Sequence, residues 1–300
     1  MTAPLSAPTL ADRIQTSLNA PVDPAVSAFA SHLGEAAGAL AVLFYGSNLR
    51  TGSLDGVLDF YVLLPGPVET GIWPRVSYHE WDREAATLRA KVATMTLETF
   101  AAAASGETLD TTIWARFVQP SALAWVGDPT QGDAVAGAVR AAAITASRYA
   151  AALGPPAGTA EDYWRALFRA TYRAEFRVEK PGRENDILGV NQTHFAGLLP
   201  AALAAAGIAC THDGTILHPR LPTAERDTLR REWARRARLG KPYNLMRLLR
   251  ASTTFDGAAK YAAWKIERHT GVPVTLTPWR ERHPVLAAPG VLWRVWRARR

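Results

Sequence analysis

Phe44-Tyr45-Gly46-Ser47-Asn48-Leu49-Arg50-Thr51-Gly52, followed by Leu54-Asp55-Gly56-Val57-Leu58-Asp59-Phe60-Tyr61-Val62-Leu63-Leu64, decides how this chain folds. An apolar run over residues 39–44 stops at Gly46-Ser47. A short polar loop follows, and a second apolar run over 57–64 carries Asp59 inside it. A carboxylate within a strand that should be buried costs several kcal/mol, on the order of 2–7, unless a partner offsets it. Asp59 is therefore either a structural liability or a group that faces a cation.

Working outward, the sequence predicts a helix over 23–36, with Val26, Phe29, Ala30 and Leu33 on one stripe. Strands follow over 39–44, 57–64, 74–81 and 88–95, then helices over 97–104 and 109–118 and a short extended piece over 121–126. The remainder reads as helices over 133–153, 160–173, 185–206, 223–239, 244–251 and 254–269, with hints of strand only around 208–217. Thr223 is expected to cap its helix and Gly240 to close it. Gly154-Pro155-Pro156 is a strong stop. The expected organisation is α/β plus α: a domain with a small mixed sheet over 1–127, a helical domain over 128–270, and a basic amphipathic segment over 271–300. No internal repeat or low-complexity tract is present.

Bulk composition narrows the classes. Three hundred residues, 48% of them apolar, can bury one large core or two modest ones. The single cysteine, Cys210, excludes a disulfide framework and a cysteine-rich zinc site, and suggests a reducing compartment. No stretch has the ~20 continuous apolar residues of a spanning helix, and no secretory signal is expected at the start. The 34 Lys and Arg exceed the 27 Asp and Glu, giving a net charge of +7, and arginines crowd 226–250 and 280–300. That excess suits an anionic partner: nucleic acid, nucleotide phosphates or lipid head groups. It equally suits a solvated arginine-rich surface.

Strand, Gly-Ser turn, strand with an inward acid is an arrangement that can hold a nucleoside triphosphate with its magnesium. Magnesium takes oxygen ligands, commonly one or two carboxylates plus the substrate's phosphates. In this reading Asp59, with Asp55 from the loop, holds the ion. Tyr45, Gly46, Ser47 and Arg50 cradle the phosphates; Gly46 lets the backbone approach and Arg50 can pair bidentately with phosphate oxygens. Asp55 and Asp59 stand four apart, so Asp55 must fold back to share the ion. The competing reading is a hairpin whose Asp59 faces solvent.

Further blocks in the chain carry a resemblance. Arg116-Phe117-Val118-Gln119-Pro120, Tyr172-Arg173-Ala174-Glu175-Phe176-Arg177, Asn185-Asp186-Ile187-Leu188 with Asn191 and Phe195, Arg250-Ala251-Ser252 and Phe255-Asp256-Gly257-Ala258-Ala259-Lys260-Tyr261 follow one another in order. Together with Tyr45-Gly46-Ser47 and Leu58-Asp59-Phe60, they resemble the mitochondrial translocator assembly and maintenance family, peripheral-membrane phosphatidate cytidylyltransferases, over residues 40–265. The resemblance implies a polymerase-β-like nucleotidyltransferase domain followed by a helical domain, with CTP and Mg(2+) in the cleft between them. The reaction implied is CTP plus phosphatidate giving CDP-diacylglycerol and pyrophosphate. Arg116 joins the nucleotide-binding set, and Tyr172, Glu175, Arg177 and Lys260 are placed at the acceptor or its phosphate. Glu175 stands where the family has aspartate, and Ala174 where it has glycine.

The last residues offer a membrane reading. Trp293 and Trp296 flank a stripe of Val291, Leu292 and Val295, with Arg294 and Arg297 on the polar side. Such a helix can lie in the head-group plane, where each arginine adds about 1 kcal/mol near an anionic leaflet. The alternative is a helix docked on its own domain. The expectation is a cytoplasmic enzyme, peripheral on the inner face of the cell membrane, with no stable nucleic-acid partner. A nucleotidyltransferase with another acceptor, and a non-catalytic basic module, remain the competing functions.

Overall fold

The computed structural model describes residues 7–71, 75–83, 86–175, 183–282 and 284–298. Five strands form one mixed sheet: β1 (Ala41–Tyr45), β2 (Leu58–Leu64), β3 (Arg75–Arg83), β4 (Ala86–Thr96) and β5 (Ser121–Val126), in the order β3-β4-β2-β1-β5. β2 and β4 run parallel, and the other neighbours are antiparallel. A second, two-stranded sheet pairs β6 (Cys210–Asp213) with β7 (Ile216–Pro219).

Strand alternation divides the side chains between two cores. Val42, Phe44, Leu58, Phe60, Val62, Ala90 and Val92 meet one another under α2 (Pro24–Ala37), which presents Val26, Phe29, Ala30 and Leu33. The stripe read from the sequence is the face that is buried, and each of the larger side chains contributes about 1.5–3 kcal/mol. Asp23 caps this helix through Ala25 N–H, Pro24 fills its first position, and Gly38 closes it in the left-handed conformation.

The opposite face carries Ala41, Leu43, Tyr61, Leu63, Ala93 and Met95 into a larger core. It is roofed by α1 (Leu10–Leu18), α4 (Leu97–Ala104), α5 (Thr112–Phe117) and the central α6 (Pro129–Leu153). The short α3 (Ser47–Thr51) lies at the end of β1. Beyond α6 come α7 (Ala160–Ala174), α8 (Arg183–Val190), α9 (Gln192–Phe195), α10 (Leu198–Ala205), α11 (Thr223–Thr254), α12 (Ala258–Thr270), α13 (Pro278–Arg282) and α14 (Pro284–Ala298). The core runs without a break from Leu10 and the sheet through α6 and α7 to Leu229 and Trp233 on α11.

Several expectations are corrected. Gly240 does not end a helix: α11 runs through it and through Pro242 as one element. A Cβ at Gly240 would stand 2.5 Å from the carbonyl oxygen of Ala174, so this glycine serves the close passage of α11 over the end of α7. The helix expected over 185–206 is three short ones, broken at Asn191 and at Gly197, which is left-handed. α6 starts before residue 133 because Asp128 caps it, with Pro129 at its first position. The loop after Ser47 is a helical turn, and the N-terminal stretch holds α1, started by a reciprocal Thr9–Asp12 capping box.

Candidate functional site

The register places one line of side chains across the sheet: Ser121 on β5, Tyr45 on β1, Asp59 on β2, Lys91 on β4 and Tyr78 on β3. This line lies on the large-core face, one step beyond the buried Tyr61. Asp59 is half-buried there. Burial pushes its carboxyl above the usual carboxylate range, and Lys91, then Arg116, pull it part of the way back. Lys91 is open to solvent by surface area, yet burial beside the surrounding protein holds its ammonium below the ordinary lysine value of 10.5. A group that touches water while being enclosed sits in a recess. Asp59 raises the Lys91 pKa, whereas Arg116, Lys265 on α12 and Arg247 on α11 all lower it. Two cations, Lys91 and Arg116, thus act on the Asp59 carboxylate, and Arg247 and Lys265 lie within electrostatic reach of Lys91.

Arg116 is positioned by aromatic packing. Phe117, next to it on α5, meets Tyr61 edge-on at 5.1 Å and Tyr45 at 5.7 Å between ring centres. The guanidinium lies 5.1 Å from the Tyr45 ring centre and donates to the Tyr61 hydroxyl at 2.6 Å. Desolvation opposes this cation, but Tyr45, Tyr61, Glu175 and Asp59 outweigh it and drive its pKa up. Burial, first of all, raises the Tyr45 hydroxyl far above its ordinary range.

Two buried acids support the arginines from behind. Thr111 donates to Glu175 at 2.7 Å, and Glu175 ends α7. Asp110 accepts from Thr112 N–H at 2.9 Å, from its hydroxyl at 2.6 Å, and from Arg247 at 2.7 Å. With the Asp110 side chain only 1% exposed, the ion pair ties α11 to the start of α5. Removing one partner of such a buried pair costs about 3–5 kcal/mol.

The Gly46 turn abuts the acid. Gly46 has φ 95° and ψ −163°, and a Cβ there would lie 3.0 Å from Asp59 Oδ2. Asn48, buried in the next turn, donates to the carbonyls of Ser53 and Asp55, both at 2.8 Å, and so pins the loop. Ser47 and Arg50 stand exposed on α3. Asp55 is exposed on the loop, held by its backbone, whereas the groups acting on the Asp59 charge are Lys91 and Arg116. Tyr172 is half-buried against the large core. Lys260 is exposed on α12; the lysine of that helix that acts on Lys91 is Lys265. Arg177 and the side chain of Trp296 lie outside the described residues. Trp293 is 55% exposed, with Arg297 over its ring at 5.4 Å, and Arg294 is exposed.

Lys91, Arg247 and Lys265 were not among the residues expected at the site. Lys91 had a signal: on β4 it alternates with the inward Ala90 and Val92 of the small core, so it shares the face of Asp59 once the two strands pair in parallel. Arg247 and Lys265 had none, since their approach depends on how α11 and α12 dock.

Among the described residues no group of three or more His, Cys, Asp or Glu comes together as a metal cage. A magnesium ion shared with a triphosphate needs only one or two carboxylates, and a desolvated, raised Asp59 suits that smaller role. No described helix is long and apolar enough to cross a membrane. A comparison with protein-family models finds none that matches this chain, and a comparison with curated proteins finds no match either.

Proposed function

We propose that the chain is a nucleotidyltransferase of polymerase-β-like architecture that transfers the cytidylyl group of CTP to phosphatidate, releasing pyrophosphate. One observation carries this reading: a half-buried acid in the sheet, packed against a glycine turn, is faced by Lys91 and Arg116, with Arg247 and Lys265 within electrostatic reach. Surplus positive charge in a recess favours a polyanion, and the single acid within it favours a polyanion that brings a divalent ion.

In this scheme Asp59 holds magnesium, which when bound neutralises charge on the phosphates. Lys91 and Arg116 take the triphosphate oxygens, with Ser47 and the Gly46 turn beside them. Arg247, fixed by Asp110, and Lys265 on the facing wall orient the acceptor phosphate. An oxygen of that phosphate attacks the α-phosphorus in line; the new P–O bond forms as the α–β bridge breaks, and the electron pair leaves on pyrophosphate. Positioning and charge neutralisation suffice for such a transfer. The outward-facing Trp293, Arg294 and Arg297 suit an enzyme that works at an anionic lipid surface, peripheral on the inner face of the cell membrane.

The test is pyrophosphate release with each of the four ribonucleoside triphosphates, with and without phosphatidate vesicles. Release that requires CTP, magnesium and phosphatidate, and that disappears in Asp59→Ala while the circular dichroism spectrum is kept, is the expected result. Release with another acceptor overturns the lipid assignment. Full activity in Asp59→Ala overturns the site.

A further inference from the structure

A second recess lies away from Asp59, between α12 and α14. Ala263 and Ile266 of α12, Leu276 of the connecting segment, and Ala288 and Val291 of α14 line a cleft of about 130 Å³, with Arg280 at its edge. An apolar cavity of ~150 Å³ takes up benzene, so this one has room for a short length of hydrocarbon. It exists because alanines oppose one another: Ala259 and Ala263 on α12 meet Ala287 and Ala288 on α14, where larger side chains would close the gap. Val274 and Leu276, on either side of the exposed Thr275, form a third apolar wall.

The cleft continues into a smaller recess of about 40 Å³, lined by Val272, Pro273, Val274, Val291, Arg280 and Arg294. Arg280 donates one N–H to the carbonyl of Thr275 at 2.5 Å, which holds the guanidinium at the junction of the two spaces. A guanidinium has five donors, so others remain for an anion. The apolar slot thus opens beside two cations. Leu286, 69% exposed, and Trp279 and Trp293, each 55% exposed, flank the lining residues in the chain and add apolar surface around it.

We infer that this cleft holds the first, short length of one acyl chain of an anionic phospholipid, with the phosphate of that lipid on Arg280 and Arg294. The slot selects a hydrocarbon chain, and the paired arginines select negative charge beside it. The site is separate from the Asp59 recess and does not depend on the transfer reaction.

The experiment is titration of the full chain, without nucleotide, followed by tryptophan fluorescence and calorimetry below micelle-forming concentrations. The probes are palmitoyl lysophosphatidate, palmitoyl lysophosphatidylcholine and glycerol 3-phosphate. Lysophosphatidate is expected to bind at least tenfold more tightly than glycerol 3-phosphate, which lacks several methylenes at roughly fourfold each, and than lysophosphatidylcholine, whose choline cancels the negative charge offered to the arginines. Ala288→Trp, which fills the slot, is expected to reduce that binding tenfold or more. Arg294→Gln, at an exposed position that leaves packing intact, is expected to bring lysophosphatidate down to the level of lysophosphatidylcholine. Equal binding of all three probes, or unchanged binding in both variants with unaltered thermal melts, overturns the assignment. Because no turnover is read, loss of the cytidylyltransferase reading would leave this result standing, and the reverse.

Discussion

Gly46→Ala tests whether the turn after β1 is built around the Asp59 carboxylate. With φ 95° and ψ −163°, Gly46 occupies a region closed to other residues, at about 1–3 kcal/mol for a side chain forced into it. The added Cβ would also stand 3.0 Å from Asp59 Oδ2, so the carboxylate must shift by a few tenths of an ångström. At roughly 2–4 °C per kcal/mol for a chain of this size, the backbone strain alone lowers the melting temperature by about 2–12 °C. Displacement of the acid adds a loss in kcat/KM on the order of tenfold to a hundredfold. The two effects separate in the Asp59→Ala background, where the backbone strain persists and the contact with Oδ2 is gone. The melting-temperature loss caused by Gly46→Ala is then expected to shrink without vanishing, with a coupling of about 0.5–3 kcal/mol. The assays are thermal melts of the four proteins and pyrophosphate release for the two that keep Asp59. A Gly46→Ala protein with native melting temperature and native kcat/KM would refute the proposed packing of turn against acid.

Two other outcomes follow from the same geometry. Lys91 binds phosphate only as the ammonium, and its pKa lies below 10.5, so nucleotide affinity is expected to fall as pH rises through that lowered value. Lys91→Arg, which stays charged, should remove the alkaline decline in equilibrium binding; an identical decline in the variant would show that another group titrates. Gly240→Ala drives a Cβ to 2.5 Å from the Ala174 carbonyl, so overpacking of about 1–3 kcal/mol is expected from urea denaturation, and an unchanged midpoint would mean that α11 and α7 separate freely.

Much of the sheet was legible because its signals are local. β5 and α4 fall on the residues expected, and β1 and β2 lie within a residue or two of their apolar runs. α7 shows its start through Thr159 and Asp162, a reciprocal cap, and its stripe of Tyr163, Trp164, Leu167 and Phe168. The misreadings arose where a residue's common role was displaced by a tertiary one. Gly240 has the composition of a helix stop but serves a close crossing, and Pro242 lies within α11.

The site divides in the same way. Asp59, Gly46 and Tyr45 could be placed because a polar residue inside an apolar strand is visible in a one-dimensional pattern. Arg116 was named from the resemblance alone, and the structure shows what holds its guanidinium in place, the Tyr45 ring and the Tyr61 hydroxyl. Arg247 and Lys265 were hidden because they belong to arginine- and lysine-rich helices in which nothing distinguishes one cation from the next. What distinguishes Arg247 is Asp110, which stands 137 residues earlier in the chain and is brought to it only by packing.

A small backbone clasp fixes where α12 docks. Tyr78 N–H donates to the carbonyl of Asp256 at 2.8 Å, and Gly257, with φ 76°, passes so close that a Cβ would meet the Tyr78 carbonyl at 2.7 Å. Lys91 is the cross-strand partner of Tyr78, and α12, which carries Lys265, begins directly after Gly257. The clasp thus fixes the start of α12 against the strand that neighbours Lys91. α12 cannot slide along β3 without breaking that bond, and farther along the helix Tyr261 meets the Tyr78 ring at 5.5 Å and Arg89 lies over Trp264 at 5.5 Å. The approach of Lys265 to Lys91 is therefore dictated by seams with β3 and β4 and not by the sequence of α12 alone.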